Sequence, residues 1–185
     1  MKIVCVNGSP RTKGNSATLA GHFCETAEKA GAEVNTWFVN KLDYKGCQGC
    51  YACKNKSDRC VVKDDLAQVL EAVRDCDVLV LASPVYYGDV SSQLKAFIDR
   101  TFSFVTADFA TRLNPGKKTV FILTQGDPTE ENFSDIYPRY STFFNWMGFE
   151  TGGLIRACGV SDPGEVANRP ENMKQAEEMA WKIAG

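Results

Sequence analysis

Histidine is almost missing from this chain: among its 185 residues there is one, His22. A single imidazole, set in a stretch of helical pattern, leaves no Ser-His or Cys-His pairing to assemble, so no residue is assigned a catalytic role. Redox or group-transfer chemistry is then expected to reside in a bound cofactor, with the protein supplying position and electrostatics. Long apolar runs are also missing. None approaches the roughly 20 residues of a membrane span, and residues 3–6 are too short for a signal-peptide core, so a cytoplasmic location without a membrane partner is expected. Neither sign of charge dominates: 21 Lys and Arg face 23 Asp and Glu for a formal net charge of −2. The basic residues are dispersed rather than striped, which argues against a nucleic-acid partner. The chain lacks the Gly-x-Gly-x-x-Gly of dinucleotide sites, and where a Walker loop would end in Gly-Lys-Ser/Thr it reads Lys13-Gly14-Asn15. There is no internal repeat or low-complexity segment, and 44% hydrophobic content over this length suits a single domain spanning 1–185.

What is present is an alternation of two periods. Unbroken apolar runs at 3–6, 78–82 and 120–123 predict parallel strands buried on both faces. The mixed stretch 33–39 predicts a weaker edge strand, and a fifth strand is expected around 153–158. Between them fall helical spacings. Ala20, Phe23, Cys24, Ala27 and Ala30 share one face, as do Leu66, Val69, Leu70 and Val73, with Asp64 or Asp65 as a cap. Leu94, Phe97, Ile98 and Thr101 follow, then Ile136, Tyr140, Phe143, Phe144 and Met147 in a helix starting near 134–135, with Pro138 in its first turn. Pro170 opens a last helix with Met173, Ala176, Met179, Ala180 and Ile183 inward. Five strands alternating with five helices specify an α/β fold, a doubly wound five-stranded parallel sheet of the flavodoxin-like order 2-1-3-4-5.

In such sheets ligands bind beyond the carboxyl ends of the strands where the winding reverses, so the loops after the first and third strands flank one crevice. The first is Asn7-Gly8-Ser9-Pro10-Arg11-Thr12-Lys13-Gly14-Asn15-Ser16. Amides at a helix start, the hydroxyl and amide donors of Ser9, Thr12, Asn15 and Ser16, and the charges of Arg11 and Lys13 suit a phosphate, a monophosphate best. The same composition also suits an ordinary polar turn. The second loop, Ser83-Pro84-Val85-Tyr86-Tyr87-Gly88, offers a rigid proline, a flexible glycine and two rings to a flat heterocycle, or else is a strand end with packing tyrosines. A third, Thr124-Gln125-Gly126-Asp127-Pro128, ends another strand at the same edge.

Gly8-Ser9-Pro10-Arg11 with Asn15-Ser16, then Ser83-Pro84-Val85-Tyr86-Tyr87-Gly88, then Gln93-Leu94-Lys95-Ala96-Phe97-Ile98-Asp99-Arg100, resemble the NADPH-dependent FMN reductase family of flavodoxin-like flavoproteins. The resemblance implies non-covalent FMN, with its phosphate on Ser9, Arg11, Asn15 and Ser16 beside Lys13. Its ring would lie against Pro84, Val85, Tyr86, Tyr87 and Gly88, with Thr124, Gln125, Gly126 and Asp127 near the ring edge. It further implies NAD(P)H as co-substrate and a small electron acceptor: a quinone, azo compound, flavin, metal or oxygen. A homodimer or homotetramer is implied, for which the aromatic-rich stretch 102–109 is the candidate contact.

Eight cysteines in a reducing compartment point away from a disulfide framework. Cys5, Cys24, Cys76 and Cys158 are expected simply to pack. The other four lie in residues 40–63, far longer than a usual βα loop of about 2 to 6 residues. Cys47-x2-Cys50-x2-Cys53-x6-Cys60 suits the wrapping of one iron–sulfur cluster, the fourth ligand arriving from farther along. It resembles the compact motif of iron–sulfur flavoproteins, a branch of the same family, which implies a [4Fe-4S] cluster on these four residues. Val61 stands where bacterial ferredoxin runs have proline, and zinc or free redox-active thiols are the alternatives. The expected activity is that of an FMN-dependent oxidoreductase; the alternative is an electron carrier passing electrons from ferredoxin through the cluster to FMN. A third reading is a phosphate-binding module with structural zinc.

Overall fold

The computed structural model describes residues 1–185. The elements in chain order are β1 (Lys2–Asn7), α1 (Asn15–Lys29), β2 (Glu33–Phe38), α2 (Ala52–Asn55), α3 (Leu66–Asp75) and β3 (Val78–Tyr86). They continue with β4 (Asp89–Val90), α4 (Ser92–Arg100), β5 (Lys118–Thr124), α5 (Ile136–Trp146), β6 (Glu150–Ala157) and α6 (Pro170–Ala184). The sheet order is β2-β1-β3-β5-β6, all parallel, so the five parallel strands in chain sequence have the order 2-1-3-4-5. The short β4 runs antiparallel to the end of β3, pairing Val85 with Val90 and Tyr86 with Asp89.

The unbroken apolar runs have their physical reason in two cores, one on each face of the sheet. Ile3 and Cys5 of β1, Val78, Val80 and Ala82 of β3, and Val120 and Ile122 of β5 join Leu19, Phe23, Ala176 and Ala180 of α1 and α6. Their alternate neighbours Val4, Val6, Leu79, Leu81, Phe121 and Leu123 join residues of α3, α4 and α5 such as Leu70, Leu94, Phe97 and Phe144. Successive strand side chains point to opposite faces, so burial on both sides leaves no polar position. The edge strand β2 has no fully buried residue, three of its six being exposed and three half-buried, in keeping with its mixed composition.

Four details differ from the sequence pattern. Strand β6 begins at Glu150, with Gly152 and Gly153 at a register shift opposite Thr119 and Val120; a Cβ on Gly152 would lie 2.7 Å from the Thr119 carbonyl oxygen. The glycines that form this bulge also hide the strand. Asp65 stands at the N-cap position of α3, with Asp64 just before it, but its side chain makes no capping bond. Their carboxylates turn back to the long loop instead, accepting from the Lys45 amide at 3.0 Å and the Asp43 amide at 2.8 Å respectively. Strand β3 runs on through Tyr86, because β4 gives its end a partner. Finally, the stretch 102–109 is divided: Phe104 and Val105 are fully buried, whereas residues 107–109 are exposed, with the Phe109 ring 5.6 Å from that of the exposed Trp146. No helix is long and apolar enough to cross a membrane.

Candidate functional site

The carboxyl end of β1 is held by bonds that leave no freedom at Gly8. Its amide donates to the Ala82 carbonyl at 2.8 Å, and a Cβ there would stand 2.5 Å from Leu94 Cβ and 2.8 Å from Ser91 Oγ. Ser91, at the N-cap of α4, accepts from the Leu94 amide at 3.3 Å, donates its hydroxyl to the Gly8 carbonyl at 2.7 Å, and gives its own amide to Ser83 Oγ at 2.8 Å. One serine thereby fixes the loops after β1 and β3 relative to each other. Asn7 turns the next step by accepting the Ser9 amide at 2.9 Å, and Ser9 Oγ bonds to both the amide and the carbonyl of Arg11.

Helix α1 then starts without a side-chain cap. Its first amide bonds are Gly14 to Arg11 and Thr18 to Gly14, so the amides of Asn15, Ser16 and Ala17 have no backbone acceptor. Ser16 is completely buried and its Oγ has no partner; the same is true of Asn7 Nδ2. Orphan amides, the positive end of a 15-residue helix and an unpaired buried hydroxyl give this end the chemistry that suits an anion. The cleft above it measures about 230 Å³ and is lined by Ser9, Arg11, Gly14, Asn15, Ser16, Pro84, Val85, Tyr86, Thr124 and Gly126, with Val160, Ser161 and Pro163.

Nine of the expected cofactor residues thus share one cleft: Ser9, Arg11, Asn15, Ser16, Pro84, Val85, Tyr86, Thr124 and Gly126. Lys13, Tyr87, Gly88, Gln125 and Asp127 are not among its lining residues. Lys13 faces solvent. Tyr87 and Gly88 form the two-residue turn between β3 and β4, with φ of 50° and 77°, and the Tyr87 side chain is fully exposed. Gln125 is buried and builds the turn: it donates to the carbonyls of Asp127 and Thr129 and accepts from Arg156 at 2.6 Å. Asp127 accepts from the Thr129 amide and from Asn132, bonds that hold its carboxyl below the usual range. The wall formed by Val160, Ser161 and Pro163 was not assigned from sequence. Its signal is the Ser161-Asp162-Pro163-Gly164 turn following the last strand, at the same edge as the other loops. Asn15 anchors that segment by accepting the Val166 amide at 3.1 Å.

Cys47, Cys50, Cys53 and Cys60 line a second cavity of about 230 Å³, together with Gly49, Tyr51, Val61, Val62, Arg100 and Phe102. Burial raises the Cys53 thiol, and the neighbouring Cys60, Cys47 and Cys50 push the same way against the opposing charge of Lys54. Four cations tie this loop to α4 and the segment after it. Lys54 donates to the Phe102 and Val105 carbonyls and Arg112 to those of Cys53 and Ser103. Arg74 reaches the Asp58 and Ser103 carbonyls, while Arg100 bonds to Asp64 and Cys60. No three of the chain's Cys, His, Asp and Glu side chains are gathered to hold a single metal ion.

A parallel sheet of order 2-1-3-4-5 with a polar cleft at its winding reversal defines a flavodoxin-like α/β protein. Within that class the chain belongs to the NADPH-dependent FMN reductase family, whose sequence profile matches residues 1–130. It is 31% identical over 184 residues to an iron–sulfur flavoprotein of Archaeoglobus fulgidus, covering 100% of this chain and 79% of that one. An iron–sulfur flavoprotein of Methanosarcina thermophila is 35% identical over 116 residues, 63% of this chain; the match spans only 60% of that relative's length. Among solved structures, an NAD(P)H:quinone oxidoreductase from Methanothermobacter marburgensis superposes with a TM-score of 0.79 at 20% identity, covering 100% of this chain and 96% of the other. An FMN-dependent NADH-azoreductase from Bacillus anthracis, solved in complex with FMN, gives 0.76 at 18% identity over 100% of both chains. These two likenesses carry the fold.

Proposed function

We propose that this chain is an FMN-dependent oxidoreductase that takes electrons from NAD(P)H and delivers them to a small acceptor, with the FMN phosphate held at the start of α1. The observation that carries the reading is Ser16 Oγ, buried without a partner in the lining of the cleft. Such a hydroxyl costs the folded chain about 1–3 kcal/mol until an acceptor arrives. A phosphate oxygen meets that need together with the free amides of Asn15, Ser16 and Ala17. Arg11, exposed at the rim, would neutralise its charge. Pro84, Val85 and Tyr86 would form the wall beside the ring, held rigid by the β3–β4 pairing. Thr124 and Gly126 would close the other side, where a Cβ on Gly126 would crowd Ser161 Oγ at 2.7 Å. Bound FMN supplies the electron-accepting chemistry that no side chain here possesses. The test is anaerobic mixing of the FMN-loaded protein with NADH or NADPH. Loss of flavin absorbance, followed by turnover with a quinone or azo dye, is expected; flavin left oxidised by both donors contradicts the proposal.

The four-cysteine cavity favours a second reading, an iron–sulfur flavoprotein that relays electrons between ferredoxin and FMN. A zinc ion with four bonds of about 2.3 Å would draw its sulfurs to within about 4 Å of one another. A cluster holds its cysteines apart around a larger core, which suits four cysteines that line one cavity with no three gathered about a single point. Cys47, Cys50, Cys53 and Cys60 would hold it, and it would supply one-electron transfer. Iron and acid-labile sulfide in anaerobically purified protein support this reading; zinc without sulfide contradicts it.

A further inference from the structure

Arg100 is the largest side chain completely withdrawn from solvent, and it lies outside the cleft at α1. A buried guanidinium is tolerable only when its charge and its donors are met. Here Nη1 donates to the Lys45 carbonyl and to Asp64 Oδ2, both at 2.8 Å. Nη2 donates to the Val62 carbonyl at 3.2 Å and to Asp64 Oδ1 at 3.1 Å. The remaining donor, Nε–H, is given to Cys60 Sγ at 3.1 Å. Of the four cations that tie down the cysteine loop, this is the one that donates to sulfur; Lys54, Arg74 and Arg112 spend their bonds on carbonyl oxygens.

We propose that Arg100 is a positioning residue for the iron–sulfur cluster: it fixes Cys60 as the fourth ligand and, through its Nε–H to Sγ hydrogen bond, raises the cluster's reduction potential. The inference rests on the cluster reading above. Cys60 follows Cys53 by seven positions, whereas the first three cysteines are three apart, so its sulfur needs an anchor that local spacing does not provide. Arg100 provides it from α4. The fork of the guanidinium grips both carboxylate oxygens of Asp64 while Nε stays free for sulfur, a division that the single ammonium of lysine cannot make. A hydrogen bond to a ligand sulfur withdraws negative charge and so favours the reduced cluster, which carries one more electron.

The test uses the full chain purified anaerobically, as native protein, Arg100→Lys and Arg169→Lys. Iron and acid-labile sulfide are assayed, and the cluster is titrated with dithionite by electron paramagnetic resonance. Arg100→Lys keeps the positive charge but loses the bond to sulfur, so its midpoint potential should fall below the native value, while Arg169→Lys, at an exposed arginine paired with Glu165 and outside the cysteine cavity, should titrate as native. Because Arg100→Lys can fail to fold, native protein labelled with ¹⁵N-arginine is also examined by electron–nuclear double resonance. A nitrogen coupled to the reduced cluster is expected. Native protein without iron and sulfide overturns the cluster reading and this inference together. A native cluster without coupled arginine nitrogen, or with a potential unmoved in Arg100→Lys, overturns this inference alone.

Discussion

Ser91 gives its hydroxyl hydrogen to the Gly8 carbonyl at 2.7 Å, so the start of α4 and the loop after β1 are a single bonded unit. The same side chain caps α4 through the Leu94 amide. Ser91→Ala removes both functions and leaves the Gly8 carbonyl buried without this partner. We expect a loss of about 1–3 kcal/mol in urea unfolding, together with weaker FMN binding. Unchanged stability with unchanged affinity would show that the loop is held by other means.

Ser16 separates binding from folding. Its Oγ has no partner without ligand, so Ser16→Ala removes nothing that supports the unliganded fold. The unliganded variant should melt at or above the native temperature, while FMN affinity drops about 10- to 100-fold, the worth of a hydrogen bond to a charged group. Calorimetric titration with FMN gives the second number. A variant that binds FMN as well as native protein removes Ser16 from the site.

Tyr87 is strained and unsupported: φ is 50° and its side chain is fully exposed. Asparagine tolerates positive φ far better, and Asn-Gly is the favoured pair in tight hairpin turns. Tyr87→Asn is therefore expected to raise stability by about 1 kcal/mol. If turnover falls in the same variant, the strain is retained for catalysis or acceptor binding.

Asp89 predicts an acid limb. Burial pushes its carboxyl up, but the Val90 amide, the Tyr140 hydroxyl and Arg139 outweigh that and hold it below the usual carboxylate value. A carboxyl that binds its proton less readily in the folded chain adds stability above a pH of about 4, and that contribution disappears as pH falls through the folded value. The melting-temperature gap between native protein and Asp89→Asn should accordingly be greatest at neutral pH and narrow on acidification. A gap independent of pH would mean that the hydrogen-bonding pattern, not the charge, is what Asp89 contributes.

The sheet was legible because burial on both faces writes itself as unbroken apolar runs, and the three loops at its edge because winding order alone places them together. Details that depend on contacts distant in sequence were not. Asp64 and Asp65 have the composition of helix caps, and nothing local shows that the long loop claims their carboxylates. Arg100 is visible as the end of an eight-residue motif, but its complete burial depends on Asp64, Val62 and Lys45, 36 to 55 positions away. The two-residue β4 is too short to have a period, and Ser161 reaches the cleft only because β6 ends beside β5.

The most direct test of the central claim compares FMN with riboflavin, which has the same ring and ribityl chain but no phosphate. Titrating protein freed of flavin with each should show FMN binding at least about 100-fold tighter, as charge-assisted bonds at the start of α1 require, with the difference largely lost in Arg11→Ala and Ser16→Ala. Equal affinity for the two flavins would contradict the assignment of this cleft to the FMN phosphate.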